Sequence, residues 1–265
     1  MVDGKERALE PAESFTEREG VRILVPLWTK KHTDLRAAVS TRVGGVSRDP
    51  FGMNTSFRVG DDEGAVRANR ERFFRAGEIS GGMLATAGQV HGSDVVVAGR
   101  PGHYADCDGL VTDTKGLFLG VSVADCVPIM LYDANKKVVG IVHSGWRGSR
   151  GKIADTSVRL MEERFSCRAA DLHAYIGPSA GGCCYEVGDE VADHFPAEAL
   201  KKTGTGKYLL DLGTFNRNLL VGCGVPEAQI AVSERCTIHE GETFHSHRRD
   251  REGSGRMLAV IGIIE

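Results

Sequence analysis

The chain runs to 265 residues, 41% hydrophobic and 26% charged, an ordinary globular balance at a length that buries roughly 70–75% of the unfolded surface without help from disulfides. Its 33 basic and 36 acidic residues leave a net charge of −3, which gives no reason to expect nucleic acid or an anionic membrane as partner. Seven cysteines are an odd number, and the first twenty residues contain no apolar signal core, so reduced thiols and a cytoplasmic setting are expected rather than a disulfide framework.

From the amino terminus, residues 1–20 mix both charge signs and read as a flexible tail ahead of one compact domain over 21–265. Strand-like runs follow at Val21–Trp28, Arg36–Ser40, Met83–Val90, Asp94–Ala98, Leu117–Val123, Val127–Tyr132, Val138–His143, Leu172–Ile176, Gln229–Val232 and Met257–Ile263. Several are continuous apolar runs, the pattern of strands covered on both faces. The most apolar stretch, Leu117–Tyr132, is interrupted by Asp125 and is shorter than the roughly 20 residues of a membrane-spanning helix. Helical patterns fall at Asp61–Ala76, Ser149–Phe165, Tyr185–Phe195 and Thr214–Gly222. Strands outnumber helices, and the helices are interspersed. The fold class that follows is α+β, with layered mixed β-sheets and helices packed outside, rather than a regular doubly wound sheet.

The glycine-rich turns RVGGVS, SGGM and IGPSAGG match neither a P-loop nor a dinucleotide fingerprint. They read as turns that bring backbone close to a site. Three other segments share one design, an apolar strand running into a ligand-type residue and then a glycine or polar turn: AGQVHGSD with His91, SVADCVPIM with Cys126, and GIVHSGWRG with His143. Two imidazoles and a thiolate supply three ligands to zinc and leave a fourth position open, the arrangement of a catalytic zinc. Spacing alone does not decide the matter, because gaps of 35 and 17 residues match no compact finger. A buried thiol, or a Cys126–His143 nucleophile–base pair, accounts for part of the same pattern.

STRVGG, GMNTSF, QVHG, DGLVTD, VADCVPIMLYD, VHSGWRG, IGPSAGGCCYEVG, LDLGTFNRNLL and FHSHRRD, in this order, resemble the motifs of the YfiH-like family, also named the multicopper polyphenol oxidoreductase or laccase-domain family. The resemblance spans about Ser40 to Ile263. It implies a single mixed α/β domain that binds zinc through His91, Cys126 and His143, with Cys126 and His143 at the catalytic centre. The implied activity is phosphorolysis of adenosine, inosine, guanosine and methylthioadenosine, together with deamination of adenosine. The partners are then purine nucleosides and phosphate. A metal that lowers the pKa of water suits attack on C6 of adenine, whereas phosphorolysis needs an anion held against the anomeric carbon, a task for paired guanidinium hydrogen bonds.

Arginines for that anion are Arg42 in STRVGG, Arg147 in SGWRG, and Arg248 and Arg249 in SHRRD. Asn54 and Gln89 offer amides for purine or ribose edges. Asp108 in CDGLVTD and Asp125 beside Cys126 offer carboxylates for orienting a ligand or exchanging protons. The chain departs from the family pattern at Ser179-Ala180-Gly181-Gly182, ahead of the adjacent Cys183 and Cys184, and in FHSHRRD where the family form is more aromatic. Two other enzyme readings stay open: a laccase-like polyphenol oxidase with copper substituting at the triad, and a cysteine hydrolase or deamidase built on Cys126 and His143. A true multicopper centre needs many clustered histidines, and only nine are present, with His245-Ser246-His247 the sole H-x-H. A protein-binding platform is the remaining, non-enzymatic reading.

Overall fold

Every residue of the last strand, Met257–Ile263 (β16), is buried. Its Met257, Ala259, Ile261 and Ile263 enter one apolar cluster, while Leu258 and Val260 enter another, as the two-residue period of a strand covered on both faces requires. The computed structural model describes residues 11–204 and 206–264 and builds outward from this strand. A seven-stranded sheet runs in the order Glu13–Arg18 (β1), Val21–Pro26 (β2), Leu35–Ser40 (β3), β16, Phe118–Val123 (β8), Leu84–Ala87 (β4), Gly102–Tyr104 (β6). A six-stranded sheet runs Ile230–Val232 (β15), Leu172–Ile176 (β11), Val127–Asp133 (β9), Val138–Ser144 (β10), Gly109–Thr112 (β7), Val95–Val97 (β5). Both are mixed, with β4 parallel to β6 and β8 in the first, and β5–β7 and β11–β15 parallel in the second. A small antiparallel sheet joins Glu186–Val187 (β12), Tyr208–Leu210 (β14) and Leu200–Lys202 (β13).

The two large sheets pack face to face. Leu119, Val121 and Ile261 of the first meet Met130, Tyr132 and Ile141 of the second in one core. On the outer face of the first sheet lies Glu63–Gly77 (α1), which contributes Phe73 to a core with Ile23 and Val260. Its start is fixed by Asp62, whose carboxylate accepts the Ala65 amide at 2.8 Å. The outer face of the second sheet is covered by Ile153–Phe165 (α3) and Leu212–Gly222 (α5), through Ile153, Val158, Met161 and Leu220. The described residues also form three short α-helices: Trp146–Arg150 (α2), Asp189–Ala192 (α4) and His247–Asp250 (α6). The result is four layers, helix, sheet, sheet, helix, and it matches the mixed α+β expectation.

Each of the ten expected strands is present. Three expectations change. The flexible tail expected over residues 1–20 does not hold for Glu13–Arg18, which pairs antiparallel with β2 and buries the Glu13 side chain against the Ser233 hydroxyl at 2.8 Å; residues 1–10 lie outside the described residues. The helix expected over Ser149–Phe165 is two helices, since Lys152 takes a left-handed conformation with φ 57° that interrupts the ladder. The helix expected over Tyr185–Phe195 is reduced to α4, because Glu186 and Val187 pair instead with Leu209 and Tyr208.

Candidate metal centre

The carboxylate of Asp108, fully buried, organises the site. Its oxygens accept the backbone amides of Val90 at 3.1 Å, His91 at 3.0 Å and Gly92 at 2.7 Å, and Oδ1 lies 2.8 Å from His143 Nδ1. One side chain thus folds the turn that carries His91 and sets the ring of His143, leaving the His143 Nε2 atom for a ligand. The turn itself needs left-handed backbone at Gln89 and His91, with φ 63° and 60°. Gln89 pins it to β8 through a paired amide contact, donating to Ser122 O at 2.6 Å and accepting from Ser122 N at 2.8 Å.

Cys126 enters from the connection between β8 and β9. The preceding Asp125 has φ 87°, and its carboxylate accepts the Thr237 hydroxyl and the Arg248 amide, both at 2.6 Å. His143 sits near the end of β10. The ligand atoms of His91, Cys126 and His143 all lie within 4.8 Å of one another, with the two imidazole rings edge to face at 5.0 Å. Gly145 permits this closeness: a Cβ there would come within 3.0 Å of Cys126 Sγ and 3.5 Å of His91 Cδ2.

Burial pushes the Cys126 thiol up, but the charge and hydrogen bond of His143, with His91 behind it, bring it down to about 6. Burial pulls His143 down, and the Cys126 thiolate and Asp108 carry it up to about 9. Burial alone would raise Asp108; the His143 ring and the Gly92 and His91 amides outweigh it and hold the carboxyl below its usual range. Without a metal, these groups stabilise a thiolate beside an imidazolium. With one, a thiolate and two imidazoles converge from two loops and a strand end, a donor set suited to a borderline, four-coordinate cation with one open position.

The other candidates divide between this rim and the scaffold. Arg248 lies with its guanidinium 5.1 Å from the Tyr185 ring, and the Tyr185 hydroxyl is raised by burial and then by Cys126, while Arg248 lowers it. The Arg248 backbone amide, which donates to Asp125 beside Cys126 at 2.6 Å, brings this pair next to the centre. Arg42 is turned to main-chain oxygens, Gly241 O at 2.8 Å and Pro50 O at 3.3 Å. Arg249 is bound to the carbonyls of Thr237, Ile238 and Phe244 and to Asp250, the pattern of a structural clamp. Exposed Arg147 stacks on Trp146 at 4.4 Å, and Trp146 stacks in turn on His194. Asn54 is buried, with Nδ2 donating to Ser56 O and Asp61 and Oδ1 accepting the Ser56 and Arg256 amides.

Sequence reasoning missed Arg256. Burial lowers its pKa, and the charges of Asp125 and Cys126 act on it in the opposite sense, which locates it beside the centre. Among the described residues its side chain donates only through Nη1, to Ser254 O and Gly255 O. The signal was present in GSGRM, a glycine turn entering a strand. Tyr185 and Thr237, which lean on Arg248 and Asp125, had no such signal.

The family profile described as multi-copper polyphenol oxidoreductase laccase matches residues 36–264. The purine nucleoside phosphorylase YlmD of Geobacillus stearothermophilus is 40% identical over 244 residues, covering 85% of this chain and 89% of that protein. The purine nucleoside phosphorylase YfiH of Escherichia coli is 34% identical over 253 residues, covering 92% and 99%. The crystal structure of YlmD from Geobacillus stearothermophilus superposes with a TM-score of 0.90 at 36% identity, covering 97% of this chain and all of that one. With matches of this extent in sequence and in fold, the chain belongs to the laccase-like family of YlmD and YfiH proteins.

Proposed function

We propose that the chain is a zinc-dependent purine nucleoside enzyme. It cleaves adenosine, inosine, guanosine and methylthioadenosine with phosphate, giving the base and a ribose or methylthioribose 1-phosphate, and it deaminates adenosine to inosine. The observation that carries this reading is the convergence of His91, Cys126 and His143 within 4.8 Å, with His143 oriented by Asp108, in a chain whose curated relatives are named purine nucleoside phosphorylases. When bound, zinc supplies Lewis-acid activation of water or of a substrate oxygen.

The chain's own residues divide the remaining work. In phosphorolysis a phosphate oxygen bonds to C1′ of the ribose as the bond to the purine nitrogen breaks, so an anion must be held while positive charge grows on the sugar. Arg248 and Arg256 flank the centre from the Tyr185 and Asp125 sides and are the groups this reading assigns to that anion. Arg42 and Arg249, tied to carbonyl oxygens, hold the loops on which those groups ride. Asp108, whose oxygens are taken by three amides and an imidazole, acts as a positioning residue.

The purified protein should carry about one zinc per chain. With phosphate it should convert adenosine to adenine, and without phosphate to inosine. Cys126→Ala should lose the metal and both activities with the fold retained, and Arg256→Ala should slow the phosphate-dependent route more than deamination. Full zinc occupancy in Cys126→Ala would sink the ligand assignment. The thiolate–imidazolium pair also favours a second reading, a cysteine hydrolase; rapid alkylation of Cys126 in a zinc-replete, active sample would select it, since a metal-bound sulfur is shielded.

A further inference from the structure

A second group of soft ligands lies outside this centre. The Sγ atoms of Cys183, Cys184 and Cys236 all fall within 4.8 Å of one another, and Cys183 Sγ is 3.4 Å from Cys184 Sγ. For metal–sulfur bonds of about 2.3 Å, the sulfurs of a tetrahedral or trigonal site stand about 3.8–4.0 Å apart, so the cluster needs only small side-chain rotations to close on one ion. All three are free cysteines. Cys183 and Cys236 line a cavity of about 490 Å³, with Gly181, Asp211 and Arg235, which gives an ion a way in. The nearby Arg235 guanidinium is already paired with Glu240 at 2.8 Å and lies 3.6 Å from Glu13.

The backbone around Cys236 is arranged for an anionic sulfur. Its Sγ accepts the Gly181 amide at 3.3 Å, the kind of outer amide contact that supports a metal-bound thiolate. Gly181 eases this approach, because a Cβ there would press on Cys236 Cβ at 3.3 Å and Cys183 Sγ at 3.4 Å. Adjacent cysteines such as Cys183 and Cys184 seldom bridge each other without strain, and Cys236, 52 residues away from Cys184 in the chain, is the partner that the sequence pattern could not reveal.

We propose that Cys183, Cys184 and Cys236 form a second metal site, a three-thiolate cradle for one soft d10 cation of the zinc, cadmium or copper(I) class. Coordination forms three metal–sulfur bonds and releases to solvent whatever protons the thiols carry. The site clips the loop before β12 to the loop after β15, where the two already touch at Ser179 and Cys236. These loops carry Tyr185 and Thr237, the partners of Arg248 and Asp125, so occupancy stiffens the rim of the first centre without contributing a ligand to it.

The test uses the full chain as Cys126→Ser, which removes the only thiolate of the first centre, reduced and stripped of metal. Cadmium is added while sulfur-to-metal charge-transfer absorption is followed in the near ultraviolet, and thiols shielded from alkylation are mapped by peptide. One equivalent should saturate a band of three-thiolate intensity and shield Cys183, Cys184 and Cys236. Adding Cys236→Ser should weaken binding by at least about tenfold. Adding Cys183→Ser at the exposed position, where folding is least at risk, should cut the band to two-thiolate intensity. An unchanged band in either double variant, shielding of other cysteines, or a Cys183–Cys236 disulfide that forms in place of metal binding would overturn the proposal. None of these outcomes depends on the nucleoside activity.

Discussion

His245 is buried, and among the described residues neither of its ring nitrogens has a hydrogen-bond partner. Burial, and then the nearby charges of Arg42, Arg256 and Arg249 against an opposing Asp250, bring its pKa from 6.5 down to about 3. The unfolded chain therefore binds a proton that the folded chain refuses, and stability falls as pH drops from about 6.5 to about 3, with a slope of about 1.4 kcal/mol per pH unit from this group. His245→Leu should flatten that slope by about one proton in urea melts taken across this window. An unchanged slope would mean that the ring finds a partner in solution. The sequence exposed His245 as a departure from an aromatic family pattern but not its isolation, because isolation depends on Gly255 pressing against the ring, where a Cβ would lie 2.6 Å from Cε1. The three metal-ligand candidates were legible for the opposite reason: each announces itself locally, as a strand end followed by a turn. Arg42 and Asn54 sit in equally suggestive turns, yet the Arg42 guanidinium is used by the Gly241 carbonyl and the Asn54 amide by the Arg256 backbone, both far along the chain, and spacing carries no trace of that.

At the scale of elements, the second short helix shows how backbone contact sets the site. Gly148 of α2 lies so close to the His91 turn that a Cβ would come within 2.9 Å of the Gly92 carbonyl oxygen. That atom is main chain and cannot rotate away. Gly148→Ala should push the turn off Asp108 and separate His91 from His143, weakening metal binding about 10–100-fold while every ligand is retained. Equilibrium dialysis against a zinc chelator reads this directly, and wild-type affinity in Gly148→Ala would show that the turn yields elsewhere. The same region explains which elements could be read in advance. Apolar runs such as Val127–Asp133 and Val138–Ser144, buried along their whole length, declare themselves as strands. Gly109–Thr112 and Gly102–Tyr104 do not, since a three- or four-residue strand owes its existence to the neighbour it pairs with. β1, rich in charge, becomes a strand only because β2 is there to receive it.

Across the whole molecule, the three candidate ligands come from different parts of the layered plan. His91 follows β4 of the seven-stranded sheet, His143 belongs to β10 of the six-stranded sheet, and Cys126 lies on the chain that crosses from one sheet to the other between β8 and β9. Layering and the mixed character of the sheets were readable from continuous apolar strand runs with helices interspersed among them. Their mutual placement was not, because it arises from contacts such as Leu119 with Met130 and Tyr132 across the core, between residues of separate strands. A cation seated at this junction acts as a rivet. The sheets cannot slide past each other, or part, without breaking its bonds, and the unfolded chain offers no equivalent seat. Heat resistance is then set partly by solution composition: at a free zinc concentration one hundred times the dissociation constant, mass action adds about 2.7 kcal/mol. The melting temperature should climb with the logarithm of free zinc in wild type and stay level in Cys126→Ala, and a protein kept at scarce metal would melt early with an unchanged apolar core.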